Sequence, residues 1–560
     1  MSQSILFLQS LLSLLLLLLC TNYAFCEPLV NFQVAQPPPF ILDTESLQCT
    51  IPIIQRTFGS SIGDPEIVRY IPPTGCSTPN VWGGVTLNLT VKSSGTQLPR
   101  FAFFTFQNVE IWRSSTLIPN ESGDDGIVWT YVKDVTRFIP LFSKPGTFIL
   151  QLDNVVETGL DGEFAVTLEA TIFSGSSRFP PAQRADLIIP LTTLANNTGD
   201  EASVPSGFSV EVTLPQNAVT AFAELQASAN SRDMFWYSDI PNQFLSHFAP
   251  GTVGEGPFRE VRVLVDGQVA GVAFPYPFVT AGGTAPPGWR PIAPYGALDM
   301  PTYHLDLTPF IPILVNGQPH SITLDVASTE PDHQINQNWF LSGLLQVNLD
   351  SSTLPTTGNI TLYQADDYAT SIASESSGDN SGINVIVNAS RSIRIEAEII
   401  AGSGEKTKVV FTQNLEYGSV QKYLQNEPPA FPQQVFQIAS GETLSTHNDE
   451  TALQDTFTYP FLIGYATPEG TDVIWAQMDH AYDRVLLPAP FIMGTTIIEH
   501  QAASGTEAST GYTFGTNGTS SNTFSYTDTE GNTYTRKVNA SNNVITFDNQ
   551  GGTLVPTAPT

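Results

Sequence analysis

An all-β protein is what this sequence predicts, and three observations predict it. Apolar and polar residues alternate with a period of two, as in Val85-Leu87-Leu89-Val91 against Thr86-Asn88-Thr90, the mark of a half-buried antiparallel strand. No window carries an apolar stripe at helical spacing through three turns. The 42 glycines and 42 prolines supply the tight connections that many strands need. A chain of 560 residues exceeds what one core sustains, so several sandwiches are expected.

Taken in order, residues 1–26 read as a signal peptide. A nearly pure Leu/Ile/Phe run from Ile5 to Cys20 is followed by small residues and a cleavage site before Glu27. The run is short for a membrane span, so the expected product is secreted, with a vacuole or cell wall as other destinations. Cleavage leaves Cys49 and Cys76, which an oxidising route favours joining as a disulfide. Glycosylation sequons stand at Asn88, Asn120, Asn196, Asn359, Asn388, Asn517 and Asn539. The first sandwich is expected over 27–180, with Phe164-Val166-Leu168-Ala170-Ile172 as one of its strands and the linker-like GSSRFPPAQ (175–183) at its end. A second, over 181–349, holds Phe208-Val210-Val212-Leu214, and Val261-Val263-Val265 running into a turn at Asp266-Gly267. DSSTLPTTG (350–358) marks the next boundary. The rest, 350–550, reads as a C-terminal β domain, expected to be a third sandwich that buttresses the first two. Residues 551–560 form a polar tail expected to be disordered.

Charge narrows the partners. Against 22 basic residues stand 53 acidic ones, a net of −31. That surface repels nucleic acid and anionic lipid and suits work in acid. No CxxC or HxxxH spacing occurs, so neither metal nor other cofactor is expected. The absence of GxSxG disfavours a serine hydrolase.

Only 13% of residues are charged, so charges interleaved with tryptophan need a reason. The stretch 106–156 holds Glu110, Trp112, Arg113, Trp129, Lys133, Asp134 and Arg137. One reason is a sugar site, where an aromatic face stacks on a pyranose and charged groups bind hydroxyls. The other is ion pairs at strand ends on the rim of a sandwich. A second dense region follows. FREVRVLVDG (258–267) starts a strand with Arg259 and Glu260. The loop FPYPFVTAGGTAPPGWRPI (274–292) ends in Trp289-Arg290. LDMPTYHLDLTPF (298–310) brings Asp299, His304 and Asp306, and FWYSDIPN (235–242) brings Trp236. Paired carboxylates beside Trp and Arg suit hydrolysis at a sugar linkage. The same residues also serve buried loops by satisfying backbone groups.

The Cys49/Cys76 opening, NVEIWRSST, GIVWTYVKDVTRFIPLF, FREVRVLVDG, GGTAPPGWRPI and PTYHLDLTPF together resemble the peptide N-glycanase A family. These are the peptide-N4-(N-acetyl-β-glucosaminyl)asparagine amidases of plants and fungi, and the chain looks most like the fungal branch. The resemblance runs from Cys49 to Leu349. It implies a secreted or vacuolar amidase that cleaves the bond between the innermost sugar and asparagine in N-glycopeptides or denatured glycoproteins, without metal. A weaker similarity to a bacterial peptide N-glycanase, through DVT, PFR and GW–RPI, implies two packed jelly rolls with a cleft between them. On that basis Glu260 and Glu110 are the expected catalytic carboxylates, the bacterial Glu falling near Glu255 or Glu260. Arg259, Arg113, Arg290 and Asp306 are the expected substrate-binding polar groups, and Trp112, Trp289 and Trp236 the sugar platforms. One departure stands out. The family usually carries an Asp before the Arg that corresponds to Arg100, and here that position is Pro99. A catalytically weakened or inactive glycan-binding paralogue is therefore the alternative expectation.

Overall fold

The computed structural model describes residues 28–38, 47–119, 126–176, 181–195, 198–199, 201–205, 207–378, 382–424, 433–466, 473–489, 493–508 and 514–555. The signal segment 1–26, Asn120, Asn196 and the last five residues lie outside them. Strands dominate the described residues, and the helical segments are short turns. Among the described residues no helix is long and apolar enough to cross a membrane.

Two sheets hold the first strands. One orders Leu29–Asn31, Ile127–Asp134, Trp82–Ser94, Glu163–Ser174 and Gln48–Phe58; the other orders Glu66–Tyr70, Gly146–Leu152, Phe101–Phe106 and Val109–Ser115. Alternation works as the pattern requires: Val85, Leu87, Leu89 and Val91 are buried with Phe164, Val166, Leu168, Ala170 and Ile172. Trp112 of one sheet meets Tyr131 of the other with ring centroids 5.6 Å apart. The Cys49–Cys76 disulfide forms, with Cα atoms 5.5 Å apart.

Two further sheets follow. Leu187–Leu191, Trp339–Leu349, Ala218–Ala229 and Thr302–Asp306 make one, and Phe208–Val212, His320–Ala327, Glu260–Val265 and Gln268–Ala273 the other. The turn read at Asp266-Gly267 is present, with φ of +48° and +79°, the paired left-handed conformation of a two-residue hairpin.

The C-terminal region departs from expectation. It is one eleven-stranded antiparallel sheet, from Thr357–Ala365 to Val544–Gly551, rather than a third sandwich. Its long strands keep one apolar face; Ile393, Ile395, Ala397 and Ile399 point inward together with Val409, Phe411 and Leu415. That face needs no second sheet because it closes over the sandwiches and joins their core. Gly551 closes the last strand, and Leu554 N–H still donates to Thr533 O, so the polar tail begins as ordered chain.

Between this sheet and the sandwiches lies the loop 274–292, buried almost throughout. A buried loop is costly because its backbone polar groups lose water. Glutamines on the inner face of the large sheet bond the backbone on either flank of the loop and in the neighbouring turn. Gln413 bonds both Val272 N (2.9 Å) and Val272 O (2.8 Å), and Gln501 bonds Tyr295 N (2.8 Å) and Ala293 O (3.0 Å). Gln421 donates to Asp239 O at 2.9 Å. Glycine is required at the tightest point: a Cβ on Gly518 would lie 2.3 Å from Pro287 O.

Candidate functional site

The nine residues expected to bind or cleave substrate are all buried, none more than 4% exposed. The strand Val109–Ser115 is buried along its whole length. Arg113 grips Glu110 with two parallel bonds of 2.7 and 2.6 Å and donates to Ser228 Oγ and Phe340 O, each at 2.8 Å. Ser342 Oγ donates to Glu110. Ser228, Phe340 and Ser342 belong to the second pair of sheets, so this ion pair fastens the two sandwiches. Trp112 stacks on Phe104 at 4.5 Å and donates from Nε1 to Leu298 O at 2.9 Å. Its faces meet protein, leaving none for a sugar.

The other expected residues sit in comparable fastenings. Arg259 holds Asp233 through two bonds of 2.8 and 2.6 Å and Asp239 at 3.2 Å. Glu260 is 1% exposed; Ala369 N–H donates to it at 3.1 Å and the Arg391 guanidinium stands 3.6 Å away. Burial raises its carboxyl above the ordinary range, against the pull of Arg391. Asp306 accepts from Thr308 N (2.8 Å) and Ser445 Oγ (2.6 Å) and pairs with His447 at 2.8 Å, tying sandwich to large sheet. Trp289 donates to Thr284 O at 2.6 Å inside the buried loop, where Arg290 is buried as well. Trp236 packs against Trp339.

His304 is buried at a register position opposite Glu224. Arg137 pairs with Glu224 at 2.9 Å and lies 3.5 Å from His304 Nε2. Burial drives His304 down to about 3, despite the opposing Glu224. Glu224 falls to about 2 because Arg137 and His304 outweigh its burial. Lys133, Asp134, Arg137, Tyr131 and Asp299 line a cavity of about 970 Å³ between the first sandwich and the large sheet. Within it, Lys133 and Tyr131 both bond Asp299, at 2.7 and 3.1 Å.

One carboxylate of the second dense region is different. Glu255, in GEGPFRE (254–260), is half-buried and holds a φ of +72°. That left-handed conformation is uncommon for a residue with a Cβ, and such strain gathers at functional sites. Its cause is visible: the Arg259 guanidinium draws in Glu255 O, Gly256 O and Phe258 O at 2.7 to 2.9 Å, folding the chain around itself. Asn242 then takes Glu255 from two sides, Oδ1 accepting from Glu255 N and Nδ2 donating to Glu255 Oε2, both at 3.1 Å. Burial and the neighbouring Asp332 and Asp233 raise the Glu255 carboxyl, against Asn242 and Arg259. Asn242 N–H donates to Glu330 Oε1 at 3.1 Å, and Glu330 is raised by its own burial, by Glu255 and by Asp332. Asn242 closes the FWYSDIPN segment, where Trp236 is the expected residue, and Glu330, 88 residues away, lies in no such motif.

Pro99 packs on the GGT segment, where a Cβ on Gly282 would lie 2.9 Å from Pro99 Cδ. Beside it the Arg100 cation is weakened by burial and supported by the charges of Asp153 and Glu157. Of the described sequons, Asn359, Asn388 and Asn517 are exposed. Asn88 and Asn539 are half-buried, and Asn88 Nδ2 is spent on Thr171 Oγ1 at 3.0 Å.

Sandwiches fastened through charged seams, with a strained carboxylate left at a loop and one large sheet over both, define an all-β protein of two sandwiches and a cover. Residues 37–366 match the family model described as peptide N-acetyl-beta-D-glucosaminyl asparaginase amidase A, and the chain belongs to that family. Residues 384–461 match the C-terminal domain model of the same family. The peptide-N4-(N-acetyl-beta-glucosaminyl)asparagine amidase A of Prunus dulcis is 30% identical over 371 residues, 63% of this chain and 63% of the almond protein's length. PNGase F, a glycosylasparaginase from Flavobacterium meningosepticum, aligns over 55% of this chain and 97% of its own at TM-score 0.35 and 14% identity. PNGF-II aligns over 55% and 66% at TM-score 0.36 and 13% identity.

Proposed function

We propose that this protein is a secreted peptide N-glycanase. It hydrolyses the amide joining the innermost N-acetylglucosamine to asparagine in N-glycopeptides. Family membership over 37–366 carries this reading. Water adds to the side-chain carbonyl carbon, the C–N bond breaks, and the leaving nitrogen takes a proton. The peptide keeps an aspartate, and the sugar departs as a glycosylamine that then loses ammonia. Glu255, rather than Glu260 or Glu110, is the carboxylate assigned to this proton traffic. It alone of the three reaches solvent, and its raised carboxyl keeps a proton available in mild acid. Glu110 and Glu260 serve as buried counter-charges for Arg113 and Arg391.

Pro99 favours a second reading, a glycan-binding paralogue without turnover, since proline can neither activate water nor accept a proton. One experiment separates the two. The purified protein is incubated with a defined glycopeptide at about pH 5, and the peptide is weighed. Release of a peptide bearing Asp, lost in Glu255→Gln and kept in Glu260→Gln, is the expected result. Intact glycopeptide from folded wild-type protein overturns the amidase reading; full activity in Glu255→Gln removes Glu255 from it.

A further inference from the structure

Glu255 has two close attendants that the chemistry above does not use. Asn242, at the start of the short helical turn Asn242–His247, spends its whole side chain on this one residue: Oδ1 fixes the Glu255 backbone and Nδ2 its carboxylate. A side chain that bonds both ends of another residue leaves it little freedom of rotation. The Asn242 backbone is fixed in turn by Glu330 Oε1. Glu330 is 5% exposed, and its own N–H is held by Ser328 Oγ at 3.2 Å. A buried carboxylate used only as a backbone anchor is an expensive choice, since a neutral amide would accept the same bond. What a carboxylate adds is negative charge beside Glu255. The other charged groups facing the pair are Asp332, Asp233, Asp239 and the Arg259 guanidinium.

We propose that Asn242 and Glu330 are positioning residues for Glu255: Asn242 clamps its backbone and carboxylate, and Glu330 anchors Asn242 and stands beside Glu255 as a second, coupled acid. This rests on the assignment of Glu255 as the proton-transfer group. Asn242 sets where the carboxylate stands. Glu330, which the charge of Glu255 raises, titrates together with it, so that the pair keeps a proton to higher pH than either acid would alone.

Two substitutions act in opposite directions. Glu330→Gln keeps an acceptor for Asn242 N–H and removes the like charge, so Glu255 should lose its proton at lower pH. Asn242→Asp keeps the acceptor for Glu255 N–H, removes the Nδ2 donor and adds a charge, so Glu255 should hold its proton to higher pH. The direct readout is the ¹³C carboxyl titration of Glu255, whose signal is the one missing from Glu255→Gln. Shifts of roughly half a pH unit or more, down in Glu330→Gln and up in Asn242→Asp, are expected, with the acidic limb of the kcat/KM profile moving likewise and KM unchanged within about twofold. Superimposable titrations of Glu255 in wild type and both variants overturn the proposal whether or not the enzyme turns over. Opposite carboxyl shifts with an active Glu255→Gln would instead sink the assignment of Glu255 and, with it, any catalytic purpose for its positioning. Opposite shifts with an inactive Glu255→Gln establish both.

Discussion

The seam at Glu110–Arg113 and the edge at Asn242–Glu255–Glu330 use the same kinds of residue to opposite ends. At the seam every charge is neutralised across 2.6 to 2.7 Å, and the spare guanidinium donors are taken by Ser228 and Phe340. At the edge two carboxylates share one asparagine, and the nearest cation, Arg259, is committed to Asp233. The seam's ionic groups are spent on architecture. Those of the edge remain short of counter-charge, and Glu255 among them is half open to solvent, a condition in which a group can exchange a proton. Motif density alone points to the seam; electrostatic completeness points to the edge.

That contrast can be broken. The largest effect is expected at the seam, where Glu110→Ala strands a fully buried guanidinium and should cost about 3–5 kcal/mol in a denaturant titration. Glu255→Ala should stay within about 1 kcal/mol of wild type in the same titration. Equal losses for the two variants would erase the distinction. A middle-sized effect is expected where the large sheet satisfies the strand that leads into the buried loop. Gln413→Leu leaves Val272 N–H and C=O unpaired and should cost about 1–3 kcal/mol, with amide hydrogen exchange accelerating around residues 268–276. Unchanged exchange there would mean that water already reaches the loop.

The smallest effect concerns pH, at the Asp306–His447 pair. Asp306 is lowered, so its contribution is present above the ordinary 3.8 and fades as pH falls through its folded value. His447 is raised by Asp306, despite burial, so its contribution is full below the ordinary 6.5 and fades as pH rises through its folded value. Together they favour a window from about pH 4 to 6.5. Asp306→Asn should flatten the loss of Tm between about pH 6 and 8; a slope equal to wild type would exclude the pair from the acid preference.

Strands were legible because alternation is local: Val85 to Val91 declare their inner face within seven residues, and Asp266-Gly267 its own turn. The site was less so. Glu110 with Arg113 reads as chemistry until Ser342, 232 positions away, turns out to cap the pair. Trp112 and Trp289 read as platforms because composition does not say which side of a tryptophan is covered. The C-terminal sheet read as a sandwich because its strands alternate correctly; what faces them is a different part of the chain. Asn242 was overlooked beside Trp236 in FWYSDIPN, and Glu330 carried no signal, as its tie to Asn242 spans 88 positions.

The buried loop 274–292 also has a consequence in time. A ribosome delivers it, and the sandwiches it lies on, well before the glutamines that will bond its flanks and the turn beside it, since Gln413, Gln421 and Gln501 come later in the chain. Until then the inner half of the molecule exists without its cover, displaying the apolar surface and unpaired backbone that chaperones recognise. The covering sheet follows the loop in the sequence, so a truncation within that sheet is expected to be felt first in the loop between the layers.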